Sequence, residues 1–213
     1  MEIYTEKRGF YKRDYNCYII KVTDDMKKTA FEFAETIILG NNQYNRLLPG
    51  NIKDNLDIAY EEKIRIQRTF VGKIGELAFC ELLRNKQKIF STKGMFEIFE
   101  GQENVDDFDF ITKDSKLVDI KTGFLSNHKN LLVNEEQFSG KPKDYYVGIK
   151  LECREEDIHR KLINLETVEY AKILGYAEYS YLDKVAPKSF GEGLARFHPY
   201  SKLLGIDKLI DKF

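Results

Sequence analysis

A chain of 213 residues, 42% hydrophobic and 32% charged, can bury one sizeable core and is too apolar for wholesale disorder. Its 34 Lys and Arg stand against 35 Asp and Glu, so no basic excess announces a phosphate-binding protein, and any such contact must come from local clusters. The stretch MEIYTEKRGF lacks the apolar run of a signal peptide, and no segment approaches the roughly 18 apolar residues of a membrane helix. Cys17, Cys80 and Cys153 are odd in number and far apart, which fits neither zinc spacing nor a disulfide framework. These features predict a cytoplasmic protein with free thiols and no membrane partner.

Taken in chain order, Tyr15 to Val22 (YNCYIIKV) has the aromatic and β-branched content of a strand. Thr23, followed by Asp24 and Asp25, predicts a helix start, and Gly40 with Asn41 and Asn42 beyond predicts its end after Leu39. The turn-rich stretch Asn41 to Asn55 predicts a surface connection. From Ala59 to Arg84 the apolar residues Phe70, Val71, Ile74, Leu77, Ala78, Leu82 and Leu83 keep helical spacing, so one long helix is expected. A hairpin is expected within Asp106 to Gly123, a short helix over Val133 to Phe138, and strands over Asp144 to Glu152 and Thr167 to Tyr179. The tail from His198 to Phe213 should end in a short helix. Four prolines and no Ser/Gly/Pro-rich linker predict a single α/β domain with a mixed central sheet flanked by helices. Within it, 1–56 reads as an N-terminal strand–helix extension, 57–180 as the core and 181–213 as a C-terminal tail.

The hairpin DDFDFITKDSKLVDIKTG is the unusual segment. With Lys113-Asp114-Ser115 as a three-residue turn, Asp109 lies opposite Asp119. Strand alternation then groups Asp107, Asp109, Asp119 and Lys121 on one face, and Phe108, Phe110, Val118 and Ile120 on the other. Carboxylates directly across a strand pair repel, and a cation between them reverses the sign. The same alternation also describes an amphipathic edge strand whose charges discourage aggregation. In the helix before it, VGKIGELAF carries Gly72 and Gly75 at a cost of about 1 kcal/mol each relative to alanine, tolerable where a backbone must approach something closely. Gly72, one turn before Glu76, is expected to clear space beside that carboxylate.

A helix with Glu76, a hairpin aspartate at Asp109, and the tripeptide Asp119-Ile120-Lys121 on the next strand together resemble the restriction-endonuclease-like PD-(D/E)XK nuclease superfamily. The resemblance covers roughly Phe70 to Glu152 and extends to the Ile173–Ala177 segment; the first sixty-odd residues match nothing in it. Phe108 stands where the proline of that motif would be, which leaves Asp107 as an alternative to Asp109.

The resemblance implies a restriction-endonuclease-like core and metal-dependent hydrolysis of DNA phosphodiesters, with Mg²⁺ as cofactor and Mn²⁺ able to substitute. It implies that Asp109, Asp119, the Ile120 carbonyl and Glu76 hold the metal and that Lys121 positions the nucleophile, with Gln137 an auxiliary polar group. Lys73, Lys141 and Lys143, together with Arg65 and Arg68, are candidate contacts to the nucleic-acid backbone. His128, His159 and His198 show no metal-ligand spacing. Restriction, defence or mobile-element endonuclease is the leading expectation. A repair or recombination nuclease, a catalytically inactive nucleic-acid-binding or scaffold module, and RNA as substrate are the alternatives. Cutting both strands with one site per chain favours a homodimer.

Overall fold

The computed structural model describes residues 1–8, 12–40, 57–98, 109–190 and 193–213. Strands β1 (Glu2–Arg8) and β2 (Arg13–Lys21) pair antiparallel. Helix α1 (Asp24–Leu39) starts where its cap predicts, with the Thr23 hydroxyl accepting the Met26 N–H at 3.2 Å. Gly40 ends it in extended backbone (φ −76°), so the stop uses no left-handed glycine. Helix α2 (Ile58–Asn85) begins on Asp57, whose carboxylate accepts the Tyr60 N–H. It ends in a left-handed turn at Gln87 (φ 53°), with the Lys88 N–H bonded to Leu83 O. The connection expected over Asn41 to Asn55 lies outside the described residues.

Strand β3 (Phe110–Ile111) turns into β4 (Leu117–Gly123), and β5 (Asn130–Asn134) leads directly into helix α3 (Glu135–Gly140). The helix expected over Val133 to Phe138 therefore starts later than its sequence suggests. Val133 is a buried strand residue, and Asn134 is the cap, its side-chain oxygen accepting the N–H groups of Glu136 and Gln137. Strand β6 (Tyr145–Cys153), the small hairpin of β7 (Glu156–Asp157) and β8 (Leu162–Ile163), and β9 (Val168–Glu178) follow. Helix α4 (Tyr179–Leu182), β10 (Lys188–Ser189), β11 (Leu194–Pro199) and helix α5 (Asp207–Ile210) complete the chain.

Among the described residues the main sheet has six strands in the order β1-β2-β9-β6-β4-β3. All neighbours are antiparallel except β4 and β6, which are parallel, as strands joined by a crossover must be. The expected mixed sheet is therefore present. The segment read as an N-terminal extension belongs to it, because Tyr18 of β2 stands opposite Ile173 of β9. A second sheet, β10-β11-β5, shares no strand with the first and packs on it through β5.

The main sheet separates two apolar layers. On one side α2 lays Ile74, Ala78 and Leu82 against Val118, Ile120, Val147, Ile149 and Ile173, and the chain's last residue, Phe213, joins them. Full burial of side chains of this size is worth about 1.5–3 kcal/mol each. On the other side Leu131 and Val133 of β5, Phe138 of α3 and Leu203 pack on Tyr146 and Leu174.

The approach of α2 to β4 is set by Gly75. A methyl group there would overlap the Thr122 hydroxyl and lie 3.2 Å from Thr122 Cβ and 3.3 Å from Ile120 Cγ2. Gly72, expected to be the spacer, faces open space, with nothing within 4 Å of where its methyl group would be. The three cysteines are unpaired, and burial pushes the Cys80 thiol up to about 12. No helix among the described residues is long and apolar enough to cross a membrane.

Candidate active site

The β3–β4 register follows from its turn. Ser115 takes the left-handed conformation (φ 59°) that a three-residue hairpin loop needs, and Thr112 N–H bonds Lys116 O at 3.0 Å. Phe110 then pairs with Val118 and Ile111 with Leu117, so the next residues out are Asp109 and Asp119. The strand stops at Phe110 and Asp109 sits in a bend. Its carboxylate accepts the Ile120 N–H at 2.5 Å, so a side chain rather than a strand partner satisfies that donor. Asp107 lies outside the described residues.

The two faces of β4 separate as alternation requires. Val118 and Ile120 are buried toward α2. Asp119 faces the opposite layer beside Tyr146, its partner on β6, and is 6% exposed. Its Oδ2 lies 2.6 Å from Lys121 Nζ without hydrogen-bond alignment, and this oxygen is sealed from water. Lys121 donates to Gln137 Oε1 at 2.9 Å. Because α3 begins at Glu135, capped by Asn134, it delivers the exposed Gln137 onto Lys121.

Glu76 comes from the helix side. It is 8% exposed and bonded at 2.7 Å by Lys73 Nζ, one turn back on α2. Glu76 and Asp119 both lie near enough to Asp109 to raise its carboxyl. Burial is the largest cause of that shift. Repulsion from Glu76 and then Asp119 adds to it, while the Ile120 N–H and Lys121 oppose it, and the carboxyl ends well above its ordinary value. Three carboxylates and two ammonium groups therefore share one neighbourhood.

The remaining sequence candidates divide. Lys73, expected at a nucleic-acid contact, is 2% exposed and paired inside the protein, so it is not presented at a surface a phosphodiester could touch. Lys143 is also buried, its ammonium on the Lys141 carbonyl at 2.5 Å. Lys141 is exposed; Arg68 is buried, and Arg65 lies 3.8 Å from Glu61. His128 Nδ1 accepts the backbone N–H groups of Phe124 and Leu125, and burial lowers the pKa of His198. Sequence reasoning missed Thr122, whose buried hydroxyl faces Gly75, and the pairing of Lys73 with Glu76. The i,i+3 spacing of that pair was the available signal.

Among the described residues, no three His, Cys, Asp or Glu side chains stand together as a ready metal site. The donor chemistry nevertheless suits a hard divalent cation: neighbouring carboxylates that raise the Asp109 carboxyl, and a buried Asp119 oxygen with no hydrogen bond. A cavity of about 280 Å³, lined by Phe31, Leu39, Ile66 and Leu165, lies at the N-terminal half of α2 and includes none of these acids. Comparison with protein-family models, curated proteins and solved structures finds no match to this chain.

Proposed function

We propose that the protein is a divalent-metal-dependent nuclease that hydrolyses DNA phosphodiester bonds. One observation carries the reading. The hairpin register, the bend at Asp109 and the position of Glu76 on α2 bring together three carboxylates and a lysine drawn from three different elements. A solvated edge strand would leave such groups apart and in water. Here Asp119 and Glu76 are both under a tenth exposed, a costly arrangement unless the charges serve a purpose. The chain order of a helix with Glu76, a hairpin, a short helix and a strand parallel to β4 also agrees with the PD-(D/E)XK resemblance.

In this reading Asp109, Asp119, the Ile120 carbonyl and Glu76 would hold Mg²⁺ or Mn²⁺. When bound, the cation supplies a water of lowered pKa and neutralises charge on the phosphate oxygens. The chain's own groups do the rest. Lys121 is aimed by Gln137 and presents an ammonium to the charge that grows on the phosphoryl oxygens. Asp119, whose Oδ2 now lies 2.6 Å from Lys121, would be a ligand to the cation, and sharing that oxygen would leave the Lys121 ammonium available to substrate. The hydrogen bond from the Ile120 N–H holds the Asp109 carboxylate in place as a candidate ligand, and its raised carboxyl makes cation binding compete with a proton.

Incubation with supercoiled plasmid tests the reading, with Mg²⁺ or Mn²⁺ present and with chelator. Nicking or linearisation should require the metal, and Asp119→Ala and Lys121→Ala should each lower it at least about 100-fold while the far-UV circular dichroism stays unchanged. Near-normal cleavage by either folded variant refutes the assignment. A second reading, a nucleic-acid-binding module without catalysis, draws on the pairing of Lys121 with Asp119 and on the lack of a ready metal trio among the described residues. It predicts plasmid binding that is indifferent to chelator and to Asp119→Ala.

A further inference from the structure

Lys73 is an unusual core residue. Its side chain is among the largest that are fully buried, yet it ends in an ammonium. Two aromatic rings form a corner around that ammonium. Phe33 of α1 and Phe96 meet edge-to-face, with centroids 5.4 Å apart at 84°. Lys73 Nζ lies 4.9 Å from the Phe33 centroid and 5.4 Å from that of Phe96, within cation–π range of both. The corner closes on Glu76 Oε2 at 2.7 Å.

A Leu or Met at position 73 would fill the same space against the same rings without desolvating a charge, which costs several kcal/mol per ion even after relaxation. Buried ion pairs of this kind are often no more stabilising than an apolar replacement. What an apolar residue could not do is hold the Glu76 carboxylate in place through a 2.7 Å ion pair. Without that partner the buried carboxylate loses this fixed contact and is freer to change rotamer.

We infer that Lys73 is a positioning residue for the acidic cluster: its ammonium, seated in the Phe33–Phe96 corner, fixes the Glu76 carboxylate next to Asp109 as a pre-set ligand position for the divalent cation. The inference rests on the nuclease reading and extends it from the cluster to the helix α1 interface. It makes two ring faces, remote from any substrate, part of what sets cation affinity, much as outer partners of metal ligands do elsewhere.

The test is Mn²⁺ binding, measured by calorimetry and by the electron paramagnetic resonance of free Mn²⁺, on wild type, Lys73→Met, Phe96→Leu, Glu76→Gln and the Lys73→Met/Glu76→Gln pair. Lys73→Met should weaken Mn²⁺ binding roughly 10- to 100-fold. Phe96→Leu, which keeps the lysine and removes one partly buried ring, should weaken it less but measurably. The double variant should bind no more weakly than Glu76→Gln alone, because Lys73 acts through Glu76. Wild-type affinity in folded Lys73→Met or in Phe96→Leu overturns the inference, as does a double variant whose losses simply add. A merely structural role would lower the melting temperature and leave Mn²⁺ affinity unchanged. Failure of the wild-type protein itself to bind Mn²⁺ has a different meaning: it removes the nuclease reading and this inference with it.

Discussion

Gly75→Ala places a methyl group at the point where α2 comes closest to β4. It would overlap the Thr122 hydroxyl, which must rotate away, and it would still meet Thr122 Cβ at 3.2 Å and Ile120 Cγ2 at 3.3 Å. Thr122 Cβ is fixed by the backbone and cannot withdraw without moving β4 or the helix, and Ile120 Cγ2 can withdraw only by leaving its rotamer. Overpacking of this kind costs about 1–3 kcal/mol. Replacing a helical glycine by alanine returns about 1 kcal/mol, so the net effect is destabilisation by about 1 kcal/mol. Gly72→Ala is the internal control, since open space surrounds its added methyl group and only the helix-propensity gain of about 1 kcal/mol remains. The two variants should therefore differ by about 2 kcal/mol in urea unfolding, or roughly 4–8 °C in melting temperature for a domain of this size. Gly75→Ala should also lower cleavage, because lifting α2 from β4 carries Glu76 away from Asp109. Adding Thr122→Ala removes the overlapping hydroxyl and should recover part of the stability. The reasoning fails if both single variants move stability in the same direction by the same amount.

Two further perturbations probe the cluster directly. The Asp109 carboxyl is raised on folding, so its contribution to stability is complete below the ordinary carboxylate range and is lost as pH climbs from there through the raised value. In chelator, Asp109→Asn should flatten that slope, whose ceiling for one group is about 1.4 kcal/mol per pH unit, and should melt higher than wild type at neutral pH. A wild-type stability curve that rises with pH across this window, or one that Asp109→Asn leaves unchanged, contradicts the assignment. Gln137→Ala removes an exposed partner of Lys121, so stability should stay within about 0.5 kcal/mol while turnover falls about fivefold, a loss of about 1 kcal/mol. An unchanged single-turnover rate would show that Gln137 does not aim the lysine.

Much of this arrangement was legible wherever a local rule acted alone. Thr23 marked the start of α1, the apolar spacing marked α2, and the length of the Lys113–Ser115 turn set the hairpin register before any packing was considered. Reading failed where a partner came from a distant element. Glu2–Arg8 (EIYTEKR) is too charged to look like a strand, and it becomes one because β2 offers it a hydrogen-bonded edge. Val133 fell inside an apparent helix, but β11 claims it as a strand, with Arg196 opposite. Lys73 read as a surface cation because lysines on helices usually are, and the two rings that bury it lie on α1 and beyond the end of α2. The same limit applied to the glycines: spacing placed both near Glu76, but only the position of Thr122 distinguishes the one that β4 presses upon.

The strand order of the main sheet has a kinetic consequence. Strand β2 finds its second neighbour in β9, about 150 residues further along the chain, and β9 also supplies one edge of β6. During synthesis the β1–β2 hairpin must therefore wait with one side unpaired until most of the remaining chain has left the ribosome. Loop closure over such a separation is slow, and an open strand edge invites pairing with other chains. Overexpression at lower temperature, or co-expression with a holdase that shields that edge, should raise the yield of folded protein without any change in its sequence.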